Sequence, residues 1–314
     1  MTTPTPPLRA VEASLQEAVG DRLRRDEPLG ARTTYRVGGR AALLLEANGD
    51  DDLVAARDAL AAAGGAVPVV VVGNGSNLLV ADAGFAGLAV VLGDAFAAVE
   101  IDGATVTAGA AALLPVVARR TAAAALTGFE WAVGVPGSIG GAVRMNAGAY
   151  GGEMQQVLGQ ALVLAPGRER RGGAGELGMR YRGSNVAPDE VVAEATLALR
   201  PGDRDEIRAI VREMQGRRRS AQPQKVRTFG SVWKNPTEQL GAGRLLERCG
   251  LKGYRIGGAR ISPVHANFIE NVDGQASSAD VIALMAEARC RARKEGVELE
   301  HEVQMLGPIA LPED

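Results

Sequence analysis

The chain is poor in several residue types that mark particular classes of protein. Aromatic residues make up 4% of its 314 residues although 46% are hydrophobic, so the core must be built mainly from Ala, Val and Leu. Its two cysteines, Cys249 and Cys290, are too few for a disulfide framework in a chain of this length. Because there are also only two histidines, His265 and His301, the sequence offers no Cys/His metal site, and we expect no metal.

Strong net charge and long hydrophobic runs are lacking too. The formal net charge is −2, so nothing indicates a nucleic-acid partner or a membrane surface. No apolar run reaches the roughly 18 residues of a membrane span, and the N-terminal MTTPTPPLRAV lacks the apolar core of a signal peptide. We interpret these first residues as a flexible lead and expect a cytoplasmic protein.

Helix and strand signals alternate along most of the chain. The predicted elements are a strand at Arg40–Glu46, a helix at Leu53–Ala63, strands at Val67–Val72 and Ala89–Leu92, a hairpin over 98–109, a helix at Leu113–Ala125, strands at Val157–Leu164 and Val191–Leu199 flanking a polar loop at 166–175, and helices at Asp203–Arg217, Ala242–Cys249 and Ala279–Lys294. The basic, proline-marked GRRRSAQPQK after Asp203–Arg217 predicts a domain boundary. Its cluster Arg217–Arg219 is typical of a solvated helix end, with a polyanion site as the alternative.

Glycine is concentrated in residues 134–152, GVPGSIGGAVRMNAGAYGG, where seven residues are Gly and none is acidic. Glycines let the backbone adopt positive φ and approach another molecule closely. Exposed N–H groups in such a segment favour an anion. The alternative is a tight structural turn.

A second glycine loop, GNGSN at 73–77, follows the predicted buried strand. The Rossmann fingerprint needs glycine at position 78 and a helix after it, but Leu78 begins a strand-like run. A P-loop is excluded because Gly-Lys-Ser/Thr is absent from both loops. The two loops suit a diphosphate held from two sides, and two ordinary turns remain the alternative.

Two further residues are candidates for chemistry. Ser231, in FGSVWKNP, follows a glycine and lies near a cation, and a serine can protonate only a strongly basic carbanion or enolate. It is not a nucleophile elbow, because Gly-x-Ser-x-Gly is absent. Arg182, in MRYRGS, has the fork geometry to clamp a carboxylate. A turn serine and a surface ion pair are the respective alternatives.

Taken together, the motifs resemble those of the UDP-N-acetylenolpyruvoylglucosamine reductases, flavoenzymes of bacterial peptidoglycan precursor synthesis. The matching segments are TTYRVGG at 33–39, GNGSNLLV at 73–80, the glycine-rich segment at 134–152, YRGS at 181–184, GSVWKNP at 230–236, AGRLLERCGLKG at 242–253, SPVHANFIEN at 262–271 and LEHEV at 299–303. They follow the family's order over nearly the whole chain.

The resemblance implies an α+β fold, with an FAD-binding region of two α+β subdomains of the vanillyl-alcohol-oxidase (PCMH) type and a C-terminal α+β substrate domain. We expect a flexible lead and N-terminal segment at 1–29, the FAD-binding domain at 30–201, a helix and hinge at 202–224 and the substrate domain at 225–314. FAD is expected to be non-covalent. The implied FAD contacts are Gly73, Asn74, Gly75, Ser76, Asn77, Pro136, Gly137, Ser138, Gly140, Gly141 and Asn146.

The resemblance also implies the reaction, in which NADPH reduces UDP-N-acetylglucosamine enolpyruvate to UDP-N-acetylmuramate by way of FAD. Arg182 and Glu302 match the family's residues that stabilise negative charge developing on the substrate, and Ser231 matches the proton donor. The implied substrate contacts are Tyr150, Lys234, Asn235 and Arg248.

A few positions depart from the family pattern. Trp233 and Tyr35 replace a common Phe but keep an aromatic ring, whereas Arg144 places a charge where a small or apolar residue is frequent. The short spacing between Arg182 and Ser231 resembles a subgroup without a tyrosine-bearing loop, which predicts a more open substrate site. The alternatives are a related flavin oxidase or dehydrogenase and a flavin-binding regulator without turnover.

Overall fold

The protein divides into two compact units whose segments interleave along the chain. The structure is a computed structural model that describes residues 5–165 and 168–312. The first unit holds the described residues up to Asp26, Ala42–Asn74 and Ala86–Arg218, and the second holds Glu27–Ala41, Gly75–Phe85 and the remainder from Arg219. This differs from the contiguous domains 30–201 and 225–314 that we expected, because two early segments group with the C-terminal residues.

Helices and strands are mixed throughout the described residues. The α-helices are α1 (Pro6–Val19), α2 (Asp50–Ala62), α3 (Leu114–Ala123), α4 (Ile139–Met145), α5 (Arg204–Ala221), α6 (Ala242–Arg248) and α7 (Ser278–Lys294). The strands are β1 (Leu23–Glu27), β2 (Ala41–Ala47), β3 (Val69–Val72), β4 (Leu78–Val80), β5 (Phe85–Leu92), β6 (Val99–Asp102), β7 (Thr105–Gly109), β8 (Leu126–Thr127), β9 (Gly148–Ala149), β10 (Gly152–Glu153), β11 (Leu158–Ala165), β12 (Arg168–Gly172), β13 (Val191–Ala198), β14 (Arg200–Pro201), β15 (Arg255–Ile256), β16 (Ala259–Ile261), β17 (Ile269–Asn271) and β18 (Gln304–Leu306).

The first sheet of the first unit has the strand order β1-β2-β5-β3, with β3 and β5 parallel. Helix α1 contributes Leu8, Val11 and Leu15 to the core of this layer. The expectation of a flexible lead is therefore wrong from Pro6 onward. Apolar residues at spacings of three and four form one buried helix face, and proline is tolerated in the first turn because the N–H groups there have no helical partner.

The second sheet of the first unit is antiparallel, with the order β12-β11-β13-β7-β6. Strand β12 lies where a polar loop was predicted at 166–175, of which 166–167 fall outside the described residues. Its arginines lie on an edge strand, where charge is usual, and Arg170 pairs with Glu190. This sheet and α3 enclose a core of their own. Two α+β layers within the first unit agree with the predicted fold class.

The second unit packs α6 and α7 with the antiparallel sheet β15-β16-β17. Ser277 caps α7 as predicted, because its Oγ accepts a hydrogen bond from the N–H of Asp280 at 3.0 Å. Asp280 returns the contact by accepting from the Ser277 N–H at 3.0 Å. Trp233 and Phe229 are fully buried in this core.

Long-range contacts explain why the two early segments belong to the second unit. Strand β4 pairs in parallel with β18 near the C-terminus. The side chain of Asn271 donates to the carbonyl oxygen of Tyr35 at 3.0 Å, and the hydroxyl of Ser278 donates to Asp82 at 2.8 Å. These contacts span about 200 residues or more, so no local pattern reveals them.

Helix α5 runs to Ala221, four residues beyond its predicted end at Arg217. Nothing in RRRSA breaks a helix, and Pro223 is the first residue that does. The segment 202–224, predicted as a helix and hinge, thus contains a longer helix and a shorter hinge than expected.

Tyr35 offers a test of the second unit's packing. Its hydroxyl is buried and has no hydrogen-bond partner among the described residues, and burial raises its pKa well above the ordinary value. We expect Tyr35→Phe to raise the free energy of unfolding by about 1 kcal/mol, because an unsatisfied polar group leaves the core. Urea denaturation measures this. The control Tyr254→Phe, at an exposed ring, should change it by less than about 0.5 kcal/mol, and a loss of stability in Tyr35→Phe would contradict the argument.

Candidate cofactor site

The glycine-rich segment 134–152 folds around the short helix α4 instead of forming an open loop. Ser138 is the N-cap, and its Oγ accepts from the N–H of Gly141 at 3.4 Å. The N–H of Gly140 donates to the carbonyl oxygen of Ala110 at 2.9 Å. A Cβ on Gly140 would lie 2.9 Å from the Cβ of Ala110, so glycine is needed for this close packing. Some N–H groups that we expected to face a ligand are therefore used inside the protein.

The end of strand β3 meets this helix at Gly73. A Cβ built on Gly73 would overlap the Oγ of Ser138, so any larger residue must push this hydroxyl aside. None of the described residues of the first unit accepts a hydrogen bond from the N–H groups of Gly73, Asn74 or Ser138. These donors and one hydroxyl thus surround a space that a side chain at residue 73 would fill.

That space opens into a cavity of about 150 Å³ within the first unit. Its polar end is lined by five of the predicted cofactor residues, namely Gly73, Asn74, Ser138, Gly140 and Gly141. Its other walls are mostly apolar and include Leu92, Leu113, Val186 and Val192. A cavity with apolar walls and a few polar groups at one end is typical of a small-molecule site.

Asn146 does not take part in this cavity. It ends α4 in the left-handed conformation with φ 42°, and its side chain is fully buried. Its Nδ2 donates to Glu153 at 3.0 Å and to the carbonyl oxygen of Arg180 at 3.1 Å, while its Oδ1 accepts from the N–H of Gln155 at 2.9 Å. These bonds contradict the predicted cofactor contact and give Asn146 a structural role.

Arg182 is fixed onto the same glycine-rich segment. Its Nη2 donates to the carbonyl oxygen of Gly148 at 3.0 Å, and its guanidinium lies 4.8 Å from the centre of the Tyr181 ring. Arg182 has φ 55°, and so does Tyr150 on the glycine-rich segment. Left-handed backbone at residues other than glycine carries strain that tends to occur at functional sites.

In the second unit the predicted Ser231 and Glu302 lie on paired backbone segments. The N–H of Glu302 donates to the carbonyl oxygen of Val232 at 2.8 Å, and Trp233 forms an antiparallel bridge with His301. The residue next to Ser231 is thereby paired with Glu302.

The second half of the GNGSN loop lies beside these two residues in the second unit. Gly75 has φ 62°, and a Cβ there would lie 2.6 Å from the carbonyl oxygen of Arg32, so glycine is required. The side chain of Asn77 donates to the carbonyl oxygen of Glu302 at 2.9 Å. The predicted cofactor residue Asn77 therefore also positions the backbone of Glu302.

The predicted substrate residues of the second unit have partners within the protein. Lys234 pairs with Glu300, and the exposed Arg248 with Glu295. The Oδ1 of Asn235 accepts from the first N–H of α6. These contacts give Asn235 a helix-capping role that the sequence did not indicate.

The described residues contain neither a cluster for a metal ion nor a helix that could span a membrane. No group of three or more His, Cys, Asp or Glu side chains could hold a metal ion among them. Nor does any helix in the described part of the chain have the length and apolarity to cross a membrane. Both cysteines are free.

Comparison with known proteins gives matches over both halves of the chain. Residues 41–173 match the FAD binding domain family and residues 222–306 the C-terminal domain of UDP-N-acetylenolpyruvoylglucosamine reductase. A UDP-N-acetylenolpyruvoylglucosamine reductase of Symbiobacterium thermophilum is 43% identical, with 91% of this chain and 92% of that protein covered. One of Rubrobacter xylanophilus is 42% identical, with 90% and 94% covered. The chain belongs to the UDP-N-acetylenolpyruvoylglucosamine reductase family.

A solved structure agrees with this assignment. The crystal structure of the enzyme from Thermus caldophilus has a TM-score of 0.79 and 35% identity, covering 91% of this chain and 99% of that one. The predicted α+β fold is confirmed, as is FAD as the cofactor. The FAD-domain match contains both glycine loops. Donors without acceptors, a cradle that a Cβ would fill and apolar walls occur together in the cavity, and this lining suits a part of FAD.

Sequence reasoning missed one residue that this reductase places beside the glycine-rich segment. We expected Arg218 to be part of a solvated helix end, but it is half-buried. A Cβ on Gly134 would lie 3.4 Å from the Arg218 Cδ and 3.7 Å from the Tyr150 ring. Burial lowers the pKa of Arg218, and the nearby Tyr150 raises it. One signal for Arg218 is present in the sequence, namely that the basic cluster Arg217–Arg219 directly precedes the predicted domain boundary.

Gly73 provides a test of the cradle. In Gly73→Ala the new methyl displaces the Ser138 hydroxyl from its bond to Gly141 and narrows the polar end of the cavity. We expect the dissociation constant of FAD to rise by about tenfold or more, which is ~1.4 kcal/mol. Flavin fluorescence on titration of apoprotein measures it.

Gly175→Ala is the matched control, because a Cβ at Gly175 meets nothing within 4 Å. It should bind FAD as the unaltered protein does. Equal affinities in the two variants would show that the close approach of Gly73 to Ser138 does not shape the cofactor site.

Proposed function

We propose that this protein reduces UDP-N-acetylglucosamine enolpyruvate to UDP-N-acetylmuramate with NADPH, using non-covalently bound FAD. The observation that carries the proposal is the meeting of the two glycine loops at one cavity within an FAD-binding domain. The C-terminal match and the names of relatives that align over 90% or more of the chain supply the substrate class. The two proposed substrates, NADPH and a sugar nucleotide, also support our expectation of a cytoplasmic enzyme.

The FAD contacts that we propose are the predicted set without Asn146. They are Gly73, Asn74, Gly75, Ser76, Asn77, Pro136, Gly137, Ser138, Gly140 and Gly141. When bound, FAD supplies hydride transfer between NADPH and the enolpyruvyl group. The protein supplies backbone N–H donors and a hydroxyl for the phosphates, together with apolar walls that exclude water.

Arg182 is proposed to stabilise negative charge on the substrate. Hydride addition to the vinyl CH2 carbon moves charge toward the carboxylate, and a guanidinium already in place stabilises that charge without reorganisation. The bond from Arg182 to Gly148 and its contact with the Tyr181 ring restrict its motion. Tyr150, 37% exposed on the glycine-rich segment, is proposed as a substrate contact.

Ser231 is proposed to donate the proton that the α carbon receives, and Glu302 to stabilise the enol-like state. A serine hydroxyl is a weak acid, so it transfers a proton only to a strongly basic carbon held beside it. The backbone bond between Glu302 and Val232 keeps these residues on neighbouring segments. We propose that the nucleotide is contacted by Lys234, Asn235 and Arg248.

The short spacing between Arg182 and Ser231 supports placement in the subgroup without a tyrosine-bearing loop. We propose that the substrate site is correspondingly more open.

Spectroscopy and turnover test the proposed function. The purified protein should show the flavin absorption bands and should oxidise NADPH rapidly only when the enolpyruvyl sugar nucleotide is present. Protein that stays colourless after reconstitution with FAD would contradict the cofactor assignment. NADPH oxidation that depends on oxygen alone would favour a flavin oxidase, and flavin without any turnover would favour a regulator.

Ser231→Ala tests the proton donor. We expect reduction of the flavin by NADPH to keep its rate, while reoxidation by the enolpyruvyl substrate slows by about 10²–10⁴-fold, the usual contribution of general acid catalysis. Stopped-flow absorbance separates the two half-reactions. Ser14→Ala, at an exposed position on α1, should change neither rate. Equal losses in both half-reactions would refute the proposed role of Ser231.

A further inference from the structure

Arg144 is a positively charged group in the wall of the cofactor cavity. Its Nη1 donates to the carbonyl oxygen of Ala187 at 3.0 Å. No described carboxylate forms an ion pair with it. A neutral carbonyl oxygen is thus the partner that orients the guanidinium.

The carboxylate that also lines the cavity, Glu190, is already compensated. It is 7% exposed and accepts from Arg170 at 2.8 and 3.3 Å and from the N–H of Ala187 at 2.9 Å. Burial acts to raise the pKa of Glu190, but these hydrogen bonds and the charge of Arg170 bring it below the ordinary value. Glu190 therefore stays ionised and is neutralised by Arg170.

Arg144 brings a positive charge to the wall of the cavity. Burial lowers the pKa of Arg144, and the charges of Glu190 and Asp189 raise it. A guanidinium stays protonated in proteins even so. The hydrogen-bond partner of this half-buried guanidinium is a neutral carbonyl oxygen, so this wall of the cavity favours an anionic ligand.

We propose that Arg144 binds a phosphate oxygen of the FAD diphosphate. The inference rests on the proposed cofactor contacts, since Gly73, Asn74 and Ser138 line the same cavity. A guanidinium fits phosphate with two parallel hydrogen bonds, and Ala187 leaves the second terminal nitrogen of Arg144 for this purpose. The glycines of the two loops supply backbone donors but no full charge, and Arg144 adds that charge to their site.

A binding experiment on apoprotein tests the proposal without relying on turnover. Flavin is removed, and FAD, ADP and adenosine are titrated into unaltered protein, Arg144→Gln, Arg144→Lys and the surface control Arg212→Gln. We expect Arg144→Gln to weaken FAD and ADP by about 10–100-fold, the range for a hydrogen bond to a charged group. Adenosine, which has no phosphate, should bind all variants within about twofold.

The Arg144→Lys variant and the salt dependence of FAD binding separate the charge of Arg144 from its hydrogen-bonding geometry. Arg144→Lys should recover part of the affinity, because an ammonium keeps the charge but not the fork. The FAD affinity of the unaltered protein should fall more steeply with salt than that of Arg144→Gln. If Arg144→Gln fails to fold, judged by thermal unfolding of apoprotein, the titration of Arg144→Lys with FAD, ADP and adenosine decides instead.

Three outcomes would overturn the proposal. Equal losses for adenosine and ADP would place Arg144 against the base or in the fold alone, and unchanged FAD affinity in Arg144→Gln would exclude a phosphate contact. A phosphate contact would also be excluded if Arg144→Lys bound FAD as tightly as the unaltered protein and showed the same salt dependence as Arg144→Gln. Failure of the unaltered apoprotein to bind FAD would instead contradict the proposed function.

Discussion

The close approach of Gly73 to Ser138 is the constraint on which the cofactor site depends. It requires a residue without a Cβ at the end of β3 and a small hydroxyl residue at the N-cap of α4. With both residues present, the end of β3 and the start of α4 lie beside the same space. The N–H groups around this space donate to no described residue of the first unit. The apolar walls then follow from the valines and leucines of the flanking strands. A single methyl group at residue 73 would alter all of these features together.

The charged residues around the cavity are connected by an ion pair and by hydrogen bonds to one turn. Arg170 on the edge strand β12 neutralises Glu190, and the turn at residues 187–190 uses its N–H and carbonyl groups to hold both Glu190 and Arg144. Glu190 forms its hydrogen bonds with Arg170 and Ala187, and Arg144 donates to the Ala187 carbonyl oxygen. An arginine on an edge strand, in a stretch where a loop was predicted, thus influences the electrostatics of the cavity. Edge-strand arginines are usually explained by solubility alone, but Arg170 also has this second effect.

The sequence predicted most of the elements, the two glycine loops and the residues that line the polar end of the cavity. It did so because strand and helix patterns are local and because glycine at a close approach has no substitute. It failed where the decisive contact was distant. Helix α1 was overlooked because three prolines and three threonines precede its apolar face. Asn146 was assigned to the cofactor because the resemblance to the family implied it, whereas the partners of its side chain are residues 153, 155 and 180. Arg218 was assigned to solvent because its neighbours Gly134 and Tyr150 are about 70 or more residues away in sequence.

The residues of the GNGSN loop are divided between the two units, and they have different partners in each. The chain passes from the first unit to the second between Asn74 and Gly75, within GNGSN itself. Gly73 and Asn74 line the cavity, whereas Asn77 holds the carbonyl oxygen of Glu302 and its own carbonyl accepts from Gln304 at 2.9 Å. Strand β4 then continues this attachment by pairing with β18. Within one loop, the chain therefore passes from residues that line the cavity to a residue that holds the backbone of Glu302. Its glycine at position 75 is required by the backbone of residues 32 and 33, so its conformation is set by packing in the second unit and does not depend on a bound ligand.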